Sequence, residues 1–311
     1  MYDVVVVGGG PAGLAAAIYL ARQKMNFALI SKDFGGQTLL SSDIENYLGF
    51  HLIDGSAMVK AFKDHLNDYK GQYDMKENEV VTAVAKSNGG FKITTNKGSY
   101  DSKTVLVTSG EKHRELKVPG EKEFYGRGVT YCATCDAPLY GNKQVVIVGG
   151  GNSAMEAALF LEKYATTVTI LTVNEKLMGD SIMQKKITDS AKISVITKAK
   201  TTKILGDTFV TGMEYTDSNG AAQVLQTQGI FIEIGLVPIT DFIDIVKKNK
   251  WGEIEVNTSN ETSVPGIWAA GDVTNITEKQ IAIAVGEGSK ASLSIIRWFE
   301  RTTGSEQGMA R

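Results

Sequence analysis

The chain repeats itself. Residues 4–22, VVVVGGGPAGLAAAIYLAR, recur in outline as residues 145–163, VVIVGGGNSAMEAALFLEK, so that Gly8 corresponds to Gly149. Each copy is a run of β-branched residues, a glycine-rich turn and a helical pattern rich in Ala and Leu, followed by a further apolar run, Phe27–Ile30 or Val168–Thr172. Strand, turn, helix and strand in that order make the unit of a dinucleotide-binding fold, and here it occurs twice. The expected fold is α/β, with two Rossmann-like dinucleotide-binding domains of three-layer ββα type. Candidate crossings at Glu111–Val118 and at Gly235–Thr240, which contains Pro238, make residues 111–241 a domain inserted into one built from 1–110 and 242–311.

Gly8, Gly10 and Gly13 form a full G-x-G-x-x-G. Gly149, Gly151 and Ala154 form the G-x-G-x-x-A variant, with Asn152 and Ser153 between them. Such a turn lets the backbone approach a pyrophosphate, aims a helix N-terminus at its charge, and keeps the third residue small for close helix–strand packing. Beyond the fingerprints, strands are expected at 79–84, 91–96, 102–108, 193–197, 200–216 and 222–233, and helices at 55–69 and 278–300.

Composition narrows the function classes. A chain of 311 residues, 42% hydrophobic, has the length and the apolar content for two cores. Lys+Arg 33 against Asp+Glu 35 gives a net charge of −2, so no whole-molecule field recruits nucleic acid or an anionic membrane. The longest apolar runs fall short of the roughly 20 residues of a membrane helix, and Met1 leads straight into the strand-like Tyr2–Val7 without a basic segment. A soluble, cytoplasmic protein is expected, with a polar and mobile tail at Thr302–Arg311.

The two cysteines, Cys132 and Cys135, form a C-x-x-C. This motif is either half of a zinc site or a redox dithiol. There is no third cysteine, and His51, His65 and His113 show no paired ligand spacing, so the redox reading leads and no metal site is expected.

At these residues the sequence resembles the low-molecular-weight thioredoxin reductases and the flavoprotein component of alkyl hydroperoxide reductase. The resemblance spans the chain: GGGPAG (8–13), FGGQ (34–37), DIENYLGF (43–50), GVTYCATCDAPLY (128–140), GGGNSAMEAA (149–158), GIFIEIGLVP (229–238), AAGDV (269–273) and KQIAIAVGEGSKAS (279–292). It implies FAD in the first domain. Gly8, Gly10, Pro11, Ala12 and Gly13 would cradle the pyrophosphate, and Gly36, Gln37 and Asn46 would line the flavin site. Asp272 would bind the phosphate–ribitol region, Gln280 and Ile281 would begin the helix beneath the ring, and Thr108, Gly110, Gly271 and Lys279 complete the set. The resemblance further implies that Cys135 faces the flavin, that Cys132 attacks a partner disulfide, and that Asp136 relays the proton. It also implies a domain rotation between flavin-reducing and flavin-oxidising states, and a homodimer.

The nucleotide site departs from the family pattern. The arginine-rich stretch that grips the 2′-phosphate of NADPH is replaced by LTVNEKLMGD (171–180), and residues 128–296 contain no arginine. The acidic residue that takes the ribose of NADH is replaced by Thr172. Gly149, Gly151, Asn152, Ser153 and Ala154 then form a site that is vestigial or takes NADH, and the donor is reduced ferredoxin or NADH rather than NADPH. The first fingerprint begins at residue 4, so the N-terminal thioredoxin-like domain of the hydroperoxide-reductase flavoproteins is not expected. The leading function is an FAD-dependent disulfide reductase serving thioredoxin or a thioredoxin-like protein. The alternatives are an NADH-dependent reductase of a peroxiredoxin-linked carrier and a non-catalytic flavin-binding electron-transfer module.

Overall fold

The computed structural model describes residues 1–40, 44 and 46–303, with Leu40, Thr134, Cys135 and Thr303 described by their backbone alone. Asp43 and Glu45 of the DIENYLGF motif, and the tail beyond residue 303, lie outside the described residues.

The chain opens with β1 (Tyr2–Gly9), α1 (Pro11–Arg22), β2 (Phe27–Phe34), α2 (Gly55–Asn67), β3 (Asp74–Glu77), β4 (Val81–Ser87), β5 (Gly90–Thr95), β6 (Ser99–Val107) and β7 (Glu111–His113). It continues with β8 (Val129–Thr130), α3 (Ala133–Asp136), β9 (Gln144–Val148), α4 (Asn152–Leu161), β10 (Thr167–Leu171), α5 (Ser181–Asp189) and β11 (Ile193–Ile196). Four strands follow, β12 (Lys200–Gly206), β13 (Val210–Thr216), β14 (Ala222–Gln226) and β15 (Gly229–Ile232). The chain then runs through β16 (Leu236–Pro238), β17 (Ile267–Ala269) and α6 (Ile281–Thr303). It divides into two compact units, Met1–Lys112 with Val237–Arg311, and His113–Leu236.

In the first unit the strands run in the order β3-β2-β1-β6-β5-β4. The β1–β2, β1–β6 and β2–β3 pairs are parallel, and β4 and β5 form an antiparallel hairpin on the first half of β6. The second half of β6, Val105–Val107, pairs instead with β17 in parallel. Because side chains alternate along a strand, the valine run of β1 serves two cores. Val4 and Val6 pack with Leu20, Leu106 and Ile295 on one face, and Val5 and Val7 with Ile30, Ile93 and Ile267 on the other.

The second unit repeats this logic. Its parallel sheet runs β11-β10-β9-β15-β8, with a separate antiparallel sheet β12-β13-β14. Val145 and Ile147 face Ala154, Met155 and Leu161 of α4, while Val146 and Val148 face Ile204, Val210 and Met213.

Where element boundaries differ from the sequence expectation, local chemistry explains them. The expected strand 200–216 is two strands, broken where Asp207 turns back to donate to the Phe209 carbonyl (3.2 Å). The expected strand 222–233 breaks at Thr227, whose hydroxyl donates to the carbonyls of Gln144 and Gly229 (3.0 and 2.9 Å). The helix expected from 278 starts at Ile281, because the Lys279 ammonium donates to the carbonyls of Asp272 and Thr274, which holds the preceding segment in a loop. No helix among the described residues is long and apolar enough to cross a membrane.

Candidate dinucleotide cradles and dithiol site

The two glycine turns are built alike. Gly8 (φ +114°) lies so close to the end of β6 that a Cβ there would stand 2.3 Å from the Thr108 carbonyl oxygen. A Cβ on Gly13 would stand 1.9 Å from the Gly8 oxygen, whereas one on Gly10 would meet nothing within 4 Å. Gly8 and Gly13 therefore exist for close packing, and Gly10 leaves space open at the helix entrance. Gly10 also N-caps α1 without a side-chain hydrogen bond, and Pro11 follows at the first helical position. The free N–H groups of the first turn and the open space above them suit a phosphate. The Thr108 hydroxyl donates to the Gly8 and Val7 carbonyls (2.8 and 3.1 Å), and the Gly9 N–H donates to the Ser31 hydroxyl (2.9 Å). Ser31 thus fixes the turn from β2, a contribution the fingerprint does not reveal.

Other expected residues of this unit gather from distant positions. The Asn46 side-chain amide donates to Gln280 Oε1 (3.0 Å) just before α6, and Gln37 Nε2 donates to the Glu111 carbonyl oxygen (3.3 Å). Gly36 (φ +55°) would bring a Cβ 3.5 Å from Gly10 Cα, and Gly110 (φ +67°) has open space at its own Cβ position. Ala12 is buried, because α6 crosses α1 closely enough that a Cβ on Gly288 would lie 2.0 Å from the Ala12 oxygen. A Cβ on Gly271 would lie 3.1 Å from the Ala12 Cβ. Lys279 pairs with Glu253 at 2.9 Å and with Glu111 at 3.7 Å. Burial raises the Asp272 carboxyl above its ordinary range, with Lys279 opposing. Burial likewise pushes Glu111 up to about 7; Lys279 pulls it down, while Asp272 and Glu253 push it further up. Glu111 is a member of this cluster that motif reasoning missed.

In the second unit Gly149 (φ +155°) approaches the end of β15, and a Cβ there would stand 2.1 Å from the Glu233 carbonyl oxygen. Gly151 caps α4 with no side-chain hydrogen bond and has open space, as Gly10 has. Ala154 is fully buried, and Asn152 Oδ1 accepts the Asp180 N–H (2.9 Å), tying the start of α5 to that of α4. Thr172 is 2% exposed; its hydroxyl accepts the Asn174 N–H (3.2 Å) and a Cβ on Gly150 would meet it at 2.3 Å. Glu175 pairs with Lys198 at 2.8 Å.

The dithiol segment follows β8. Glu121 is buried and accepts from the N–H groups of Leu116 and Lys117 (2.7 and 2.6 Å) and from the Tyr131 hydroxyl (2.7 Å), which anchors the residue before Cys132. Cys132 is disulfide-bonded, and its N–H donates to the Thr130 hydroxyl (3.2 Å). The side chain expected to face a flavin, that of Cys135, lies outside the described residues; its backbone belongs to α3. A cavity of about 350 Å³ is lined, among the described residues, by Tyr131, Cys132, Ala133, Ser153, Glu156, Ala157, Phe160 and Glu233. Asp136, the expected acid, does not line it. Asp136 adds its charge to the burial that pushes the Tyr140 phenol up to about 12, so the two lie near each other.

Two glycine cradles on parallel sheets, the second carrying a disulfide at a cavity beside its own helix, correspond to a known family pattern. The model of the pyridine nucleotide-disulphide oxidoreductase family matches residues 2–288. The chain belongs to that family. It is 41% identical over 308 residues to the F subunit of alkyl hydroperoxide reductase from Pseudomonas putida, covering 97% of this chain and 59% of the relative. The Escherichia coli K12 protein of the same name is 40% identical over 306 residues, with 97% and 59% covered. The chain thus spans about 59% of the length of these relatives. Among solved structures, the thioredoxin reductase of Lactococcus lactis has a TM-score of 0.79 at 33% identity, with 97% of this chain and 100% of that one covered. T. acidophilum thioredoxin reductase has a TM-score of 0.76 at 42% identity, with 95% and 98% covered. The resemblance to low-molecular-weight thioredoxin reductases and the two-domain Rossmann-like architecture therefore hold.

The family implies FAD, and the first cradle fits it: Gly10 leaves open the volume that a Cβ would enter, and the uncapped start of α1 offers donors to a pyrophosphate.

Proposed function

We propose that this chain is an FAD-dependent disulfide reductase that passes electrons to thioredoxin or a thioredoxin-like protein through the Cys132/Cys135 dithiol. The observation that carries this reading is the disulfide-bonded Cys132 at a cavity that also holds two carboxyl groups, within a unit built as a nucleotide domain. The bound flavin supplies a two-electron reductant. The chain's own residues do the rest. Gly8, Gly10, Pro11, Ala12 and Gly13 shape the pyrophosphate cradle, Asn46 and Gln280 hold each other at the flavin site, and Lys279 neutralises the carboxyl groups around it. Gly36, Gln37, Thr108, Gly110, Gly271, Asp272 and Ile281 complete the set. Asp136 exchanges the proton that thiol chemistry requires.

A peroxiredoxin-linked carrier is the second reading for the acceptor, favoured by the 41% identity to a component of alkyl hydroperoxide reductase. Turnover with purified thioredoxin against a purified carrier distinguishes the two. For the donor, reduced ferredoxin comes ahead of NADH and NADH ahead of NADPH, since Thr172 is buried and residues 128–296 offer no arginine. A cytoplasmic homodimer accords with the family resemblance.

Cys132→Ser and Cys135→Ser test the core of the proposal: each is expected to abolish reduction of a protein disulfide while the purified protein stays yellow with FAD. Variants that turn over thioredoxin at the parent rate would refute the dithiol route.

A further inference from the structure

Glu233 follows the last residue of β15, at the position that Thr108 takes after β6 in the first unit; each backs the first glycine of its fingerprint. The two side chains are used differently. The hydroxyl of Thr108 is engaged with backbone carbonyls. The carboxyl of Glu233 lines the cavity shared with Cys132, Ser153 and Glu156, and it accepts the N–H of Ala133, the residue after Cys132. Burial pushes this carboxyl up to about 7; the Ala133 N–H pulls it down and the Glu156 charge pushes it up. Among the described residues, the other ionisable groups lining the cavity are Cys132 and Tyr131, ahead of α3, and Glu156 from α4. Burial and the adjacent Glu121 raise the Tyr131 phenol well above its ordinary value, so Tyr131 keeps its proton at neutral pH.

We propose that Glu233 is a second acid/base beside Asp136, exchanging a proton with the Cys132 thiol across the cavity that they share and Asp136 does not line. This deepens the disulfide-reductase reading and rests on it. The Glu233 carboxylate takes the proton from Cys132 Sγ, so an S–H bond breaks and an O–H bond forms. The thiolate electron pair makes a bond to one sulfur of the substrate disulfide as the substrate S–S bond breaks. The departing thiolate carries that bond's electron pair away and takes the proton back from Glu233. The substrate disulfide is the oxidant, and the product is a mixed disulfide on Cys132. A carboxyl that titrates near neutrality can both accept and return this proton, which one titrating near pH 4 does poorly.

The test uses FAD-loaded Cys135→Ser protein, in which the reaction stops at the mixed disulfide. The reduced protein is mixed with 2-hydroxyethyl disulfide between pH 5.5 and 9, quenched with acid, and the adduct on Cys132 is counted by mass spectrometry. The rate is expected to show an inflection near pH 7. Glu233→Gln should move the inflection up toward the value of about 8.5 of an ordinary thiol and slow the reaction at pH 7 by roughly 10²-fold, and Glu233→Asp should keep the lower inflection. Glu156→Gln removes the like charge and should move the inflection to lower pH, which keeps the idea testable if Glu233→Gln does not fold. An unchanged inflection in Glu233→Gln, or the same upward shift in Glu233→Asp, overturns the role of Glu233 and leaves the reductase reading intact. A Cys135→Ser protein that forms no adduct on Cys132 with Glu233 in place overturns both.

Discussion

Glu111 brings a third carboxyl to Glu253 and Asp272 around one ammonium, that of Lys279. Its side chain is 6% exposed, and its carboxyl is pushed up to about 7 by burial first. An unfolded glutamate titrates at about 4.3. Between these values the folded chain holds a proton that the unfolded chain has released, so stability falls as pH rises through the window and levels off above about 7. The slope per group is at most about 1.4 kcal/mol per pH unit. Glu111→Gln should flatten part of this decline and be more stable than the parent at pH 8 by roughly 1–3 kcal/mol; Glu233 and Asp272, raised in the same direction, contribute to the remainder. Urea midpoints at pH 5 and pH 8 measure the difference, and equal pH dependence in both proteins would remove Glu111 from the account.

At the scale of strand, turn and helix, the first fingerprint separates packing glycines from binding glycines. Gly13→Ala forces a methyl group to 1.9 Å from the Gly8 oxygen, so β1 and α1 must move apart, and a loss of several kcal/mol or failure to fold is expected. Gly10→Ala meets open space at a φ of −74°, an ordinary conformation, so the fold should survive within about 1 kcal/mol. Its methyl group enters the phosphate space instead, and FAD affinity should fall at least tenfold, as flavin retention on dialysis reports. An FAD content unchanged by Gly10→Ala would displace the pyrophosphate from this turn. The second fingerprint keeps an open Gly151, but its following strand β10 is succeeded by buried Thr172, and the region lacks a guanidinium fork. Two missing charge-assisted pairs, at about 1.5–3 kcal/mol each, weaken NADPH by roughly 10²–10⁴-fold. Anaerobic titration of the flavin absorbance with reduced ferredoxin, NADH and NADPH checks this order; fast reduction by micromolar NADPH would reverse it.

For the whole molecule, each unit has a sheet with apolar cores on both faces, built from its own residues. Two thermal transitions are therefore expected in calorimetry. With FAD assigned to the unit that carries the first cradle, as proposed, saturating it at about 100 times its Kd adds about 2.7 kcal/mol to that unit. At about 2–4 °C per kcal/mol, one transition should rise by several degrees while the other stays in place. At the same FAD concentration Gly10→Ala should cut the rise to about half or less without altering the two-transition pattern. Equal movement of both transitions would mean that the units melt as one.

The β1 and β9 runs, the turns after them and the helices α1 and α4 were legible in the sequence, because each depends on local rules: alternation along a strand, positive φ at Gly8 and Gly149, small residues where a helix meets a strand. The Cys132/Cys135 spacing is local in the same sense. Other features were not legible. Asn46 meets Gln280 across 234 positions, Glu111 pairs with the distant Lys279, and Glu233 arrives beside Ala133 because parallel strands β8 and β15 end side by side. The correspondence of Thr-Ser-Gly at 108–110 with Glu-Ile-Gly at 233–235 was a signal for Glu233, yet the sequence does not say that this side chain is buried. The chain by itself determined two glycine turns between strand and helix and a C-x-x-C. The tertiary structure alone decided which carboxyl groups lose their water, since desolvation is a property of everything packed around a group, and that loss moves Glu111 and Glu233 toward neutral pH.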